Sequence, residues 1–449
     1  MLSRIPKALV FIVCLLIICI LFAIVMKSTY GCTGHSQLDF FVNSDGKTCT
    51  ITGIGTYEGK DIEIPEFIEG YKVVAIGDRA FAGSDIERLA ISSTLETIGK
   101  GAFDGCKFLN DVTCPNGNEY ITSIQEYTFR NCLKLARIEF PTNLISIEKA
   151  AFMGCEMLVK LKLPNTLAEI GSQAFQGCIR LLDINIPPKV TEIKNNTFKD
   201  CYNLGSVELP EGLVSIGEYA FHQCWINFTE VVIPDSVTSI GKYAFYDCQS
   251  LQQVDLSNSI TTISEGTFMG CYLLESIQIP DNVNSIEVAA FAVCKSIKDI
   301  NIPKNVRYIE TDAFSYCYSL ELLTVDDQNE YYCSLDGNLY SKDGTKLIQY
   351  AIGKPNDNFE IPGGVTTIAT SAFIGSQNLK QVIIGIGVSN IEKNIFLNAE
   401  ILDTFIYKGT VEEWRSITKH KLWDSQSKNY VVNCSDGKIA PNGTVTYYQ

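Results

Sequence analysis

Histidine is almost missing from this chain: His35, His222 and His420 are its three copies in 449 residues, and they stand far apart. Metal sites and general-base chemistry built on imidazole therefore have little material. Positive charge is scarce as well, with 36 Lys and Arg against 51 Asp and Glu, a net charge of −15. That balance argues against a nucleic-acid partner, because binding phosphates needs a basic face. Phosphate-binding loops and nucleophile elbows are also lacking, and Gly53-Ile-Gly55 has neither the following helix nor the third glycine of a dinucleotide fingerprint. The chain reads as non-enzymatic, with no catalytic residue, no cofactor and no metal expected. Disorder is excluded too, since 46% of residues are hydrophobic and 19% charged, enough to bury a large core.

Long apolar runs are confined to the start. Residues 8–26 carry no charge and follow Arg4 and Lys7. A helix of about 20 apolar residues spans a bilayer, and the flanking cations favour a cytoplasmic tail at 1–7 with the remainder exported. A transmembrane anchor on the cell surface is the expectation. The alternatives are a secreted product after cleavage, or a lipoprotein cut before Cys32 in Thr29-Tyr30-Gly31-Cys32, although Thr29 and Tyr30 depart from that pattern.

Beyond the anchor one pattern recurs, I-x-x-x-A-F-x-x-C-x-x-L-x-x-I-x-I-P. Its phenylalanine falls at 81, 103, 129, 152, 175, 198, 221, 245, 268, 291 and 314, then at 373 and 396, so the usual interval is 23 residues, with one jump of 59. Such a period predicts a leucine-rich-repeat solenoid, a right-handed stack of about thirteen coils. Within a coil, Leu158 to Leu163 alternates apolar and polar residues as a short strand does, and Pro164 ends it. Parallel strands about 4.8 Å apart would make a body roughly 60 Å long. Each coil buries its inner face only against its neighbours.

Ten coils place a cysteine three residues after the phenylalanine, from Cys106 to Cys317, and the others have Ser84, Ser376 and Ala399 there. The site wants a small buried side chain, so a ladder of free thiols packed as small hydrophobes is expected. Cys32, Cys49, Cys333 and Cys434 stand outside it, with a Cys32–Cys49 disulfide left open.

The ends differ from the array. Residues 27–70 hold a linker and a hairpin cap turning at Asp45-Gly46, and the array occupies 71–320. Two Asp-Gly pairs, Asp336-Gly337 and Asp343-Gly344, mark a β-hairpin insertion over 321–357 that is expected to lie along the solenoid. Coils resume over 358–407, and a cap with a helix behind Thr410 and a last strand at 443–448 fills 408–449.

The unit resembles the BspA-like, treponemal-type leucine-rich repeat. The likeness extends to the insertion S-L-D-G-N-L-Y-S-K-D-G-T-K-L-I-Q-Y at 334–350, to Y-K-G-T-x-E-E-W at 407–414 and to the opening hairpin. It implies a right-handed solenoid displayed on a cell surface, adhesion to extracellular proteins or to other cells, and no catalytic residues.

An open strand face would present the residues beside each apolar pair. Candidate partner contacts are the basic Arg137, Lys160 and Lys162, followed by Asp183, Asn185, Glu208, Asp255 and Asp299. Such a row suits an extracellular protein or glycan, while a merely solvated face would look the same. Aromatic anchors are commoner at interfaces, which adds Tyr331, Tyr332, Tyr340, Tyr350, Trp414 and Trp423, unless these fill a cap core. The competing function is structural, with solenoids associating with one another in the envelope.

Overall fold

The computed structural model describes residues 37–424 and 430–449. The expected tail and membrane span, with Cys14, Cys19 and Cys32, lie outside them. Among the described residues no helix is long and apolar enough to cross a membrane.

The chain winds into a β-solenoid of about 17 turns, more than the thirteen or so expected, because the strands of the insertion and of both ends continue the ladders. The alternating segment forms the expected ladder of short parallel strands. Lys160–Leu161 pairs with Asp183–Ile184, Glu230–Val232 with Gln253–Asp255, and Asp299–Ile302 with Leu322–Val325. Every second side chain enters the core. A second parallel ladder lies where the sequence suggested only a crossing stretch: Ser146–Ile147 sits between Ser123–Ile124 and Glu169–Ile170. Two extended residues suffice for one bridge to each neighbour, and that is too short for alternation to show.

The core is organised around the phenylalanine. Its ring stacks on those of the adjacent coils, with centroids 5.2 Å apart for Phe81 and Phe103 and 5.7 Å for Phe175 and Phe198. Its amide donates to the next coil, as from Phe152 to the Ala174 carbonyl at 2.8 Å and from Phe175 to that of Thr197 at 3.0 Å. The preceding position is alanine or threonine in every coil but the last, where Ile395 stands, and it is enclosed or nearly so throughout. Where it is Thr128, Thr197 or Thr267, the hydroxyl donates to the carbonyl three residues back at 2.7–2.8 Å.

The cysteines are free and buried, and they do more than fill space. Each ladder thiol donates to the phenylalanine carbonyl of the preceding coil, at 3.2 Å from Cys132 to Phe103 and at 3.1 Å from Cys155 to Phe129. That carbonyl also receives the amide of its own coil's cysteine, so it is satisfied twice, within and between coils. Cys49, buried in the opening hairpin, Cys333 and Cys434 are free as well.

Two left-handed residues flank each phenylalanine, two places before and two after. Asn196 (φ 59) and Asp200 (φ 62) surround Phe198. Glycine often takes the later position, as at Gly177 (φ 72), where the chain must reverse tightly. Val293 (φ 63) is the β-branched exception.

The caps follow from local chemistry. Asp39–Val42 folds back on Thr48–Gly53, with the Asp45 carboxylate accepting from the Lys47 and Thr48 amides at 2.8 and 2.9 Å. At the other end the helix Val411–Ser416 has a reciprocal capping box between Thr410 and Glu413. Val445–Tyr447 then pairs antiparallel with Gly437–Ile439 to close the sheet.

The insertion departs from expectation. It is a coil of the stack itself: Lys346–Leu347 pairs in parallel with Thr367–Ile368, and Tyr350 takes the phenylalanine's place. The Tyr350 amide donates to the Ala372 carbonyl at 2.9 Å and its ring lies 5.4 Å from Phe373. Gly353 stands at the cysteine position, where a Cβ would come within 2.5 Å of the Ser319–Leu320 backbone.

Burial raises the pKa of every ladder thiol, to about 12 for Cys178, from an ordinary value of 9.0. Folded thiols thus stay protonated while unfolded ones ionise above pH 9. Their stabilisation is complete below that value and lost as pH rises through the alkaline range. Each contributes a fall of about 1.4 kcal/mol per pH unit. Denaturant titrations between pH 8 and 10.5 should show a steep loss of stability, shallower in Cys201→Ser by one thiol's share. A flat profile would contradict buried thiols. Separately, Val293→Asn should stabilise the fold by about 0.5–1 kcal/mol in the same assay, since asparagine tolerates the left-handed region.

Candidate binding surfaces

The first ladder brings the candidate contacts onto one solvent-facing lane, because the register places equivalent positions side by side. Asp61, Arg88, Asp111 and Arg137 align in successive strands. Arg88 grips Asp61 and Arg137 grips Asp111, each through two nitrogens, with Nε–Oδ1 distances of 2.9 and 3.0 Å. Lys160 lies 3.7 Å from Asp183. The basic spot read from Arg137, Lys160 and Lys162 is therefore largely neutralised along the stack, with Lys162 the member that has no ion pair among the described residues. Asn185 spans to the neighbouring coil, accepting from the Leu163 amide at 2.8 Å and donating to its carbonyl at 3.0 Å. Glu208, Asp255 and Asp299 are exposed on the same lane. Exposed pairs of this kind contribute about 0–1 kcal/mol each, so the lane tolerates change.

The aromatic candidates divide. Tyr340 and Tyr350 are fully enclosed and Trp414 nearly so, filling the core of the insertion and the C-terminal cap. Tyr331 is exposed, and the Arg307 guanidinium lies 5.9 Å from its ring centre.

A seam separates the main core from the C-terminal one. Leu339 belongs to the first and Tyr340 to the second. The second ladder stops at Tyr308–Ile309 and starts again with the insertion's own strands. Among the described residues the Phe314 amide has no bond of the kind its predecessors make. Tyr332 closes the open edge: its hydroxyl accepts from the Ile309 amide at 3.0 Å and donates to the Arg307 carbonyl at 3.1 Å. One phenol thus replaces the strand that would otherwise pair there. Behind it lies a cleft of about 220 Å³ lined by Ile309, Phe314, Tyr332, Leu339 and Ile348, with the Lys346–Glu392 pair (2.7 Å) at its rim.

Asn329 holds this edge in place. Buried, its amide donates to the Pro303 and Val306 carbonyls at 2.8 and 3.0 Å, and its oxygen accepts from the Tyr331 and Tyr332 amides at 2.8 Å each. Asn118 does the same work in the coil stretched to 26 residues. Both belong to an Asn-Glu-Tyr triplet, at 118–120 and 329–331. That repetition was visible in the sequence and marks where a coil lengthens.

Among the described residues no group of three or more His, Cys, Asp or Glu side chains gathers to hold a metal ion.

Short parallel strands, inward Leu and Ile, and a 23-residue period define a leucine-rich-repeat solenoid. The chain belongs to the BspA type leucine rich repeat region family, whose profile matches residues 48–132, 122–228, 215–334 and 353–421. The interval it skips, 335–352, is the insertion's hairpin. The structure is similar to that of a leucine rich cell surface protein from Faecalibacterium prausnitzii A2-165, at 26% identity and a TM-score of 0.53 over 86% of this chain and 97% of that one. It shares its fold with a leucine-rich repeat protein from Bacteroides ovatus ATCC 8483, at 21% identity and a TM-score of 0.56 over 89% and 98%. No curated protein has a significantly similar sequence.

Asn329→Ala would strip partners from buried backbone groups and should cost about 3 kcal/mol, read by chemical denaturation. A loss below about 0.5 kcal/mol, the size expected of a surface change, would contradict its holding role.

Proposed function

We propose that this is a non-enzymatic cell-surface protein, held in the membrane by residues 8–26, that binds extracellular proteins or glycans through the first strand lane. The observation that carries this reading is the lane itself: polar side chains at matched positions on successive coils, presented to solvent by a backbone that the core already holds rigid. A preorganised surface of that kind lowers the ordering cost of binding. The similar protein from Faecalibacterium prausnitzii is a leucine rich cell surface protein, which supports the location. The charged apolar-segment boundary at Arg4 and Lys7 supports the orientation.

The test is to scan the full chain, in detergent, against matrix proteins and mucin glycans at 50 and 300 mM salt. Saturable binding that weakens with salt, and at least tenfold in Lys160→Glu with Lys162→Glu, is the expected result. No saturable partner together with concentration-dependent self-association in sedimentation would replace this reading with a structural role in the envelope.

A further inference from the structure

A second surface lies at the point where the second ladder breaks. Asn282, Asn284, Asn305, Arg307 and Tyr308 line an open depression of about 390 Å³ on the coils just before the seam. Asn282 and Asn305 are fixed from below, since their amide nitrogens donate to the Asn258 and Asp281 carbonyls at 2.6 and 2.8 Å. Among the described residues their side-chain oxygens have no hydrogen-bond partner, and neither does the Asn284 side chain. Tyr308 is 63% exposed and opens a strand of the second ladder, at a position where its counterparts in other coils are mostly Ser, Thr or Glu. Arg307 is the unusual member. Most arginines here are held by carboxylates, whereas its guanidinium meets no carboxylate among the described residues and lies 5.9 Å from the centre of the Tyr331 ring. The nearby Asp281 is already occupied by Lys304, at 3.1 Å.

These groups have a common chemistry. Amides offer both donors and acceptors, matching the mixed donor and acceptor character of vicinal hydroxyls. An exposed phenol ring offers a flat face to the C–H side of a sugar ring while its hydroxyl stays wet. A guanidinium fork takes a carboxylate through two parallel bonds. A peptide ligand would want an apolar anchor pocket, and this depression has none, its lining being amide, guanidinium and a single ring.

We propose that the Asn282–Tyr308 depression is a binding site for a saccharide bearing a carboxylate, such as a uronate or sialate unit, with Arg307 holding the carboxylate and Tyr308 supporting the ring. The site deepens the binding role proposed above and is separate from the first strand lane. The asparagine row supplies the hydroxyl contacts. Acidic sugars approach a protein of net charge −15 against its overall field, so affinity rests on the local arginine and not on long-range attraction.

The experiment is calorimetric titration of the full chain, in detergent, with tetragalacturonate and with sialyllactose, beside cellotetraose and poly-glutamate as controls. Saturable binding to at least one acidic sugar is expected, at least tenfold weaker in Arg307→Gln and in Tyr308→Ala. Tyr120→Ala, which removes the other Asn-Glu-Tyr tyrosine, beside Lys72, should leave it unchanged. All three side chains are exposed, so circular dichroism of the variants should match the parent. No binding to either acidic sugar, equal binding to cellotetraose or to poly-glutamate, or binding indifferent to Arg307→Gln would overturn the proposal. Binding abolished by Lys160→Glu with Lys162→Glu but untouched by Arg307→Gln would overturn this site and leave the strand-lane reading standing.

Discussion

The hydrogen bond from the phenylalanine amide to the next coil, made from Phe81 through Phe291 and again at Phe373, is the constraint on which the rest of this structure depends. It is made in the dry interior, between stacked rings, where an unpaired backbone group would be costly. The neighbours of the phenylalanine are chosen to permit it. Alanine or threonine stands before it in every coil but the last, left-handed residues turn the chain on both sides, and in ten coils a cysteine three places on returns a second bond to the preceding coil. Because these contacts are with nearest neighbours, stability accumulates along the stack. The outward residues are thereby released from folding duty and are available for recognition.

Much of this could be read from the sequence, because the ring and the thiol recur at a fixed interval. What escaped has physical reasons. Strands such as Ser146–Ile147 are two residues long and leave no alternation to detect. The thiol bonds were hinted at by serine in the cysteine's place at Ser376, whose hydroxyl donates to the Phe373 carbonyl at 2.8 Å, but Ala399 pointed to size alone. The insertion hid its own coil because Tyr350 follows Leu347 by three residues, where Phe152 follows Ile147 by five, and because Gly353 replaces the cysteine.

The candidate surfaces were legible to a lesser degree. Alternation identified the outward residues of the first lane, but not that Arg137 is held by Asp111 from a strand 26 residues earlier, or that Asn185 is tied to Leu163. Side-chain pairing between coils depends on register, which a single chain pattern does not disclose. The Asn282–Tyr308 depression was missed because its residues come from the turns and the second ladder, neither of which the repeat consensus emphasises.

The seam gives the molecule its asymmetry. Along most of the stack each backbone group in the second ladder is used by the next coil. At Tyr308–Ile309 that coil is displaced by the insertion, and a side chain, Tyr332, takes over the bonding. The groups beside it face solvent: Arg307 meets no carboxylate among the described residues, and Asn282 and Asn305 are tied to the stack only through their amide nitrogens. A break in a repeating structure is thus both its weakest joint and the place where its surface is most individual.

Native-state hydrogen exchange tests the central claim most directly. If the phenylalanine-centred bonds carry the stack, the slowest amides should be those of Phe129 to Phe291, with protection falling at Phe314 and at Ile309, where a phenol stands in for a strand. Uniform protection across the seam, or a maximum in the insertion's hairpin, would contradict the account.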